Sequence, residues 1–82
     1  MTVSLRVHLF GRYAELLGVE QLALSLSRGG TVADAVSTLR ARPGGEHLPP
    51  QPLTAVNATQ TPLSTQLSDG DELALLPPLA GG

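Results

Sequence analysis

The chain has 82 residues, a formal net charge of -2 and 41% hydrophobic residues, enough to bury one small core and not two. It has no cysteine, which excludes disulfides, thiolate metal sites and a cysteine nucleophile. Its five basic residues are all arginines (Arg6, Arg12, Arg28, Arg40, Arg42), scattered along the chain, and its only aromatics are Phe10 and Tyr13. Nucleic acid is therefore not an expected partner. No apolar run reaches membrane-spanning length and no signal-peptide pattern opens the chain, so a cytoplasmic protein without membrane association is expected.

Residues 3–9 alternate strictly, with Val3, Leu5, Val7 and Leu9 on one face and Ser4, Arg6 and His8 on the other, which predicts a half-buried strand. His8 has no second histidine near it and faces outward, so it reads as a sheet-surface residue rather than a ligand or base. Apolar residues at Phe10, Tyr13, Leu16 and Leu17 are spaced for one face of a short helix that Gly18 ends. Alternation returns over 20–26, placing Leu22, Leu24 and Leu26 together in a second strand, antiparallel to the first. Ser27 to Gly30 then supplies a turn. It lacks the Lys-Ser/Thr signature of a phosphate loop.

Thr31-Val-Ala-Asp34 resembles a capping box with Asp in the acidic position, so a helix is predicted from about Val32. Val32, Ala35, Val36 and Leu39 form its core stripe, Arg40 and Arg42 suit its C-terminal end, and Pro43 stops it. Leu5, Val7, Leu22, Leu24, Val36 and Leu39 are expected to pack together. Residues 43–52 hold four prolines, two glycines, Glu46 and His47, which predicts an exposed loop with no regular element. Glu46 beside His47 is at most half a metal site, and two adjacent loop residues are expected to be solvated.

Residues 53–57 read as a short strand with Asn57 opening the turn that follows. Thr61-Pro62 breaks the next stretch, leaving irregular chain with at most a short edge strand. Asp69-Gly70-Asp71 lacks the rest of a calcium-loop signature and reads as a turn. No metal site is expected. Leu73 to Leu76 is a core strand in which Leu76 is assigned to the outward face, and Pro77-Pro78 ends the ladder because neither residue has a backbone N–H. Leu79-Ala80-Gly81-Gly82 closes the sequence as a projecting segment. It spans up to about 13 Å when extended and has no Cβ on its last two residues.

The ending Asp69-Gly70-Asp71-Glu72, apolar strand, Pro77-Pro78-Leu79-Ala80-Gly81-Gly82 resembles the small, sulfur-carrier subunit of molybdopterin synthase, in the sulfur-carrier branch of the ubiquitin-like proteins. Phe10 followed by Glu15-Leu16 and Gly18 is similar to the same family, although Ala14 stands where many relatives have an arginine. The resemblance implies an α+β, ubiquitin-like β-grasp fold: a mixed sheet under one main helix, with the last strand parallel to the first in mid-sheet. It implies a domain over 1–76 and a flexible, projecting Gly-Gly tail over 77–82.

Under that resemblance the chain is not catalytic alone and binds no cofactor. An adenylating, E1-like enzyme uses ATP to activate the Gly82 carboxylate, and a sulfur donor protein then supplies the sulfur of a thiocarboxylate. The large catalytic subunit of molybdopterin synthase receives it to build the dithiolene of the molybdenum cofactor. Gly82 is the implied reacting residue and Gly81 gives clearance; from the residues themselves, an outward Leu76 beside the tail root, with Phe10, Pro77, Pro78, Leu79 and Ala80, is the expected partner-binding set. Carriers for thiamine or cysteine synthesis share the Gly-Gly ending, and a ubiquitin-like protein modifier or a plain interaction module are further alternatives. The chain has no lysine, so it cannot form side-chain-linked chains with itself.

Overall fold

The computed structural model describes residues 1–78, and Leu79, Ala80, Gly81 and Gly82 lie outside them. Their order is β1 (Thr2–Leu9), α1 (Arg12–Leu17), β2 (Gln21–Ser27), α2 (Val32–Arg40), a 3-10 turn (Gly45–His47), β3 (Leu53–Val56), β4 (Thr59–Gln60) and β5 (Glu72–Leu76). The five strands form one sheet in the order β2-β1-β5-β3-β4. β1 pairs antiparallel with β2 and parallel with β5, while β3 runs antiparallel to both β5 and β4. The sheet is therefore mixed, and β5 is flanked on both sides.

Alternation decides which side chains meet α2. Val3, Leu5, Val7 and Leu9 of β1, Leu24 and Leu26 of β2, and Leu73 and Leu75 of β5 are buried against Val32, Ala35, Val36 and Leu39 of the helix. The helical stripe falls where its spacing places it, and both bonds of the capping box are present. Thr31 Oγ1 accepts from the Asp34 N–H at 3.3 Å, and Asp34 Oδ2 accepts from the Thr31 N–H at 2.9 Å. Leu22 departs from expectation: near the sheet edge it is only partly buried and packs at the margin of the core.

The irregular stretch after β4 completes the cap. The N–H groups of Val32 and Ala33, which have no partner within the helix, donate to the carbonyls of Thr65 and Leu63 at 2.9 Å each. Leu67 from the same stretch is buried in the core. Irregular chain thus serves as both cap and wall.

Two expectations are corrected. Phe10 is not part of the short helix face: α1 begins at Arg12, Tyr13 is buried, Leu16 and Leu17 pack against the core, and Phe10 stays 48% exposed before the helix. Segment 43–52 is not simply an exposed loop, because it contains the 3-10 turn and buries Gly45, Leu48 and Pro52. The breakers permit a close approach rather than preventing order. A Cβ on Gly44 would stand 2.0 Å from the Leu16 carbonyl oxygen, and one on Gly45 would stand 1.9 Å from that of Leu39. Arg40 secures the far side by donating from Nε to the Leu48 carbonyl at 3.0 Å. Glu46 and His47 remain exposed side chains, 3.7 Å apart.

Candidate functional site

The site under consideration is the root of the C-terminal segment, where β5 leaves the sheet. Its start is held by the turn before it. Asp69 Oδ1 accepts from the Ser4 N–H at 2.7 Å, the Gly70 N–H donates to the Ser4 carbonyl at 2.8 Å, and Asp71 Oδ2 accepts from the Ser68 N–H at 2.8 Å. Both aspartates are thus spent on turn hydrogen bonds. No cluster of three or more metal-ligating side chains occurs among the described residues.

Asn57 clamps the same point from the other side. Its N–H donates to the Glu72 carbonyl at 2.8 Å, its Oδ1 accepts from the Glu72 N–H at 3.0 Å, and its Nδ2 donates to Asp71 Oδ1 at 3.0 Å. This reach is possible because Asn57 and Ala58 take φ values of 50° and 71°, the left-handed pair that a tight hairpin requires. Asn tolerates that region well, whereas Ala is unusual there.

At the other end of β5, Pro77 packs beside the β1–α1 junction. Gly11 has φ 52°, and a Cβ placed on it would stand 3.5 Å from Pro77 Cγ. β5 is consequently held at its start and along both edges, and it leaves the sheet beside the β1–α1 junction. Pro77 is half-buried and Pro78 is exposed.

Beside the root, no described residue covers the sheet face opposite α2. Leu76 and Ala74 point there from β5, both half-buried, and Leu53 stands directly opposite Leu76 on β3 at 47% exposure. Phe10 shares a surface depression with His8, Ala74, Asn57 and Glu72 on this face. Phe10, Leu53, Ala74, Leu76 and Pro77 therefore make an apolar surface next to the emerging tail. His8 borders it, with Nε2 2.8 Å from Glu72 Oε1.

Of the residues singled out from the sequence, Phe10, Leu76, Pro77 and Pro78 are brought together here. Leu79, Ala80, Gly81 and Gly82 lie outside the described residues. Leu53 and the His8–Glu72 pair belong to the surface and were not singled out. Only the β3–β5 and β1–β5 registers bring them in, and those registers join residues far apart in sequence. Ala14 packs against the core, while Arg12 is exposed immediately after the Gly11 that touches Pro77.

The ThiS family matches residues 7–82, nearly the whole chain, including β5 and the Pro-Pro and Gly-Gly residues that follow it. The chain belongs to the ThiS family. A molybdopterin synthase sulfur carrier subunit from Arabidopsis thaliana is 34% identical over 82 residues, covering 99% of this chain and 85% of the relative. Among solved structures, SAMP1 from Haloferax volcanii superposes with a TM-score of 0.82 at 27% identity, over 96% of this chain and 99% of that one. A complex of subunits 1 and 2 of the molybdopterin-converting factor from Helicobacter pylori contains a similar chain, with a TM-score of 0.71 and 25% identity, covering 98% of this chain and 100% of that one. The fold of this ThiS family member is the ubiquitin-like β-grasp, with the parallel central pair β1 and β5 that the resemblance implied. Among its described residues no helix is long and apolar enough to cross a membrane.

Proposed function

We propose that this chain is a sulfur carrier whose Gly82 carboxylate is converted to a thiocarboxylate and delivered to the large subunit of a molybdopterin synthase. The observation that carries this reading is the tail root: a strand held at its start and along both edges, leading through Pro77-Pro78 towards a Gly-Gly terminus, beside an apolar face that no described residue covers. Rigid support directly under a narrow segment favours placing its last atom in another protein's site. The sulfur carrier subunit from Arabidopsis and the two-subunit complex from Helicobacter support the same assignment.

A carboxylate is a poor acyl donor because its leaving group would be oxide. In the proposed sequence an adenylating enzyme joins the Gly82 carboxylate to the α-phosphate of ATP and releases pyrophosphate. Hydrosulfide released by a donor protein then attacks the acyl carbon, the bond to AMP breaks and AMP leaves with its electron pair, and loss of the proton from sulfur gives the thiocarboxylate. With no cysteine in the chain, no internal thiol competes for the activated carbonyl. ATP and the pterin precursor bind the partners, and this chain contributes no general acid or base. The apolar face carrying Phe10, Leu53 and Leu76 is the docking surface for the large subunit, and Arg12 is the cation available where relatives carry an arginine in place of Ala14.

Incubation with the activating enzyme, ATP and a sulfur donor should raise the intact mass by the difference between sulfur and oxygen, located in the terminal peptide. Deleting Gly82, or appending a residue to it, should abolish transfer. Normal pterin sulfuration by such variants would overturn the reading. The likeness to SAMP1 favours a second reading, in which Gly82 is joined to lysines of other proteins. Amide-linked adducts bearing this chain's terminal peptide, in place of the thiocarboxylate, would establish it.

A further inference from the structure

The two edges of the sheet differ. One is β4, two residues long, while the other is β2, seven residues in continuous pairing with β1 and with no partner on its outer side among the described residues. Natural edge strands are protected by lysine, proline, bulges or brevity. β2 reads Gln-Leu-Ala-Leu-Ser-Leu-Ser and has none of these, no charge included.

The hydrogen bonds show which groups are left over. The Leu9 N–H donates to the Glu20 carbonyl at 2.8 Å and the Arg28 N–H donates to the Met1 carbonyl at 3.0 Å, so residues 20 and 28 both face β1. In an antiparallel ladder successive residues alternate in this respect. Every even-numbered residue between them is therefore used inside the sheet. Gln21, Ala23, Ser25 and Ser27, all exposed, turn their N–H and C=O groups towards the open edge, where only the Ser27 carbonyl is already engaged, by the Gly30 N–H at 2.9 Å. α2 leaves this side accessible, since a groove runs between β2 and the helix past Ser25, Ser27, Ser37 and Thr38.

We propose that β2 is the contact surface for a second copy of this chain, the two strands pairing antiparallel about a two-fold axis at Leu24. In that register Ala23 faces Ser25 of the second copy and Gln21 faces Ser27, so the unused donors and acceptors meet as hydrogen-bonded pairs. Charge selects the same register. Glu20 and Arg28 flank the strand at equal distance from Leu24, both are exposed, and antiparallel pairing sets each Glu20 opposite an Arg28 at the two ends of the interface. Parallel pairing would instead set Glu20 beside Glu20 and Arg28 beside Arg28. Leu22, half-buried in the single chain, would meet Leu26 of the second copy and lose its remaining exposure.

The product is one continuous ten-stranded sheet. β1 separates the interface from β5 by two strand spacings, about 10 Å, so the apolar surface at the tail root stays open. The two-fold axis makes the two β5 strands leave the sheet in opposite directions.

Sedimentation of the full chain across a concentration series should show a reversible monomer–dimer equilibrium. Glu20→Arg, at an exposed position, should weaken it about tenfold by turning two opposite-charge pairs into like-charge pairs, and the double variant Glu20→Arg with Arg28→Glu should restore it. Because the native chain has no cysteine, register can be read separately. A mixture of Ala23→Cys and Ser25→Cys chains should cross-link on oxidation faster than either variant alone. A chain that stays monomeric throughout the series overturns the proposal. Self-links of the single variants forming as fast as the mixed link overturn the Leu24-centred register, and a double charge swap that fails to restore association overturns the role of the flanking charges.

Discussion

The two faces of the central strand are built for different ends. Towards α2, Leu73 and Leu75 are fully buried, whereas on the opposite face Ala74 and Leu76 look onto a surface that none of the described residues covers. Four consecutive aliphatic residues thus divide between holding the fold and presenting a surface, and hydropathy alone does not tell them apart. What separates them is the position of a single helix above one side of the sheet.

The sharpest test of that division is Leu75→Ala. It should cost about 2–5 kcal/mol through lost transfer energy and the cavity left in the core, visible as a large drop in the denaturation midpoint. Asn57→Ala probes the clamp at the start of β5 rather than either face. Loss of its side-chain bonds to Asp71 and Glu72 should cost about 1–3 kcal/mol. Faster amide exchange at Glu72 would show that the strand's entry point has loosened.

Leu76→Asp should invert the pattern of Leu75→Ala, changing stability by under about 1 kcal/mol while abolishing association with the large subunit in a pull-down. Equal destabilisation by the two would erase the difference between the faces. The smallest effect belongs to Ala58→Gly. Relief of the left-handed strain, offset by greater freedom of the unfolded chain, should raise stability by no more than about 1 kcal/mol, measured as a slight rise in melting temperature with partner binding unchanged.

Much of this was legible in the sequence because it is local. Period-two alternation located β1 and β2, a short apolar run located β5, and the Thr31–Asp34 box with its i, i+3, i+4, i+7 stripe located α2. Segment 43–52 was harder to read. Its prolines and glycines signal irregular backbone, but the same glycines admit the carbonyls of Leu16 and Leu39 at distances no side chain would allow, a contact between elements that local pattern does not encode. Phe10 was misleading for a related reason, since its spacing fits a helix that in fact begins two residues later. At the site, Pro77-Pro78 followed from proline chemistry, whereas the outward assignment of Leu76 is a choice between two aliphatic sets that only the position of α2 decides. Leu53, His8 and Glu72 needed the registers of β5 with its two neighbours.

Those registers also govern the order of events when the protein is made. β5 is the last strand to be synthesised, yet it occupies the middle of the sheet, and its entry turn bonds to Ser4 across a separation of 65 residues. Until it arrives, β1 and β2 on one side and β3 and β4 on the other have no common strand between them. Such non-local closure is slow compared with hairpin formation, and it makes the final insertion the step that unites the sheet. A truncated chain lacking β5 would be left with a gap at the centre of its sheet, exposed to proteolysis. Closure of the sheet thereby depends on β5, and a copy whose sheet has closed has already brought its tail root into place.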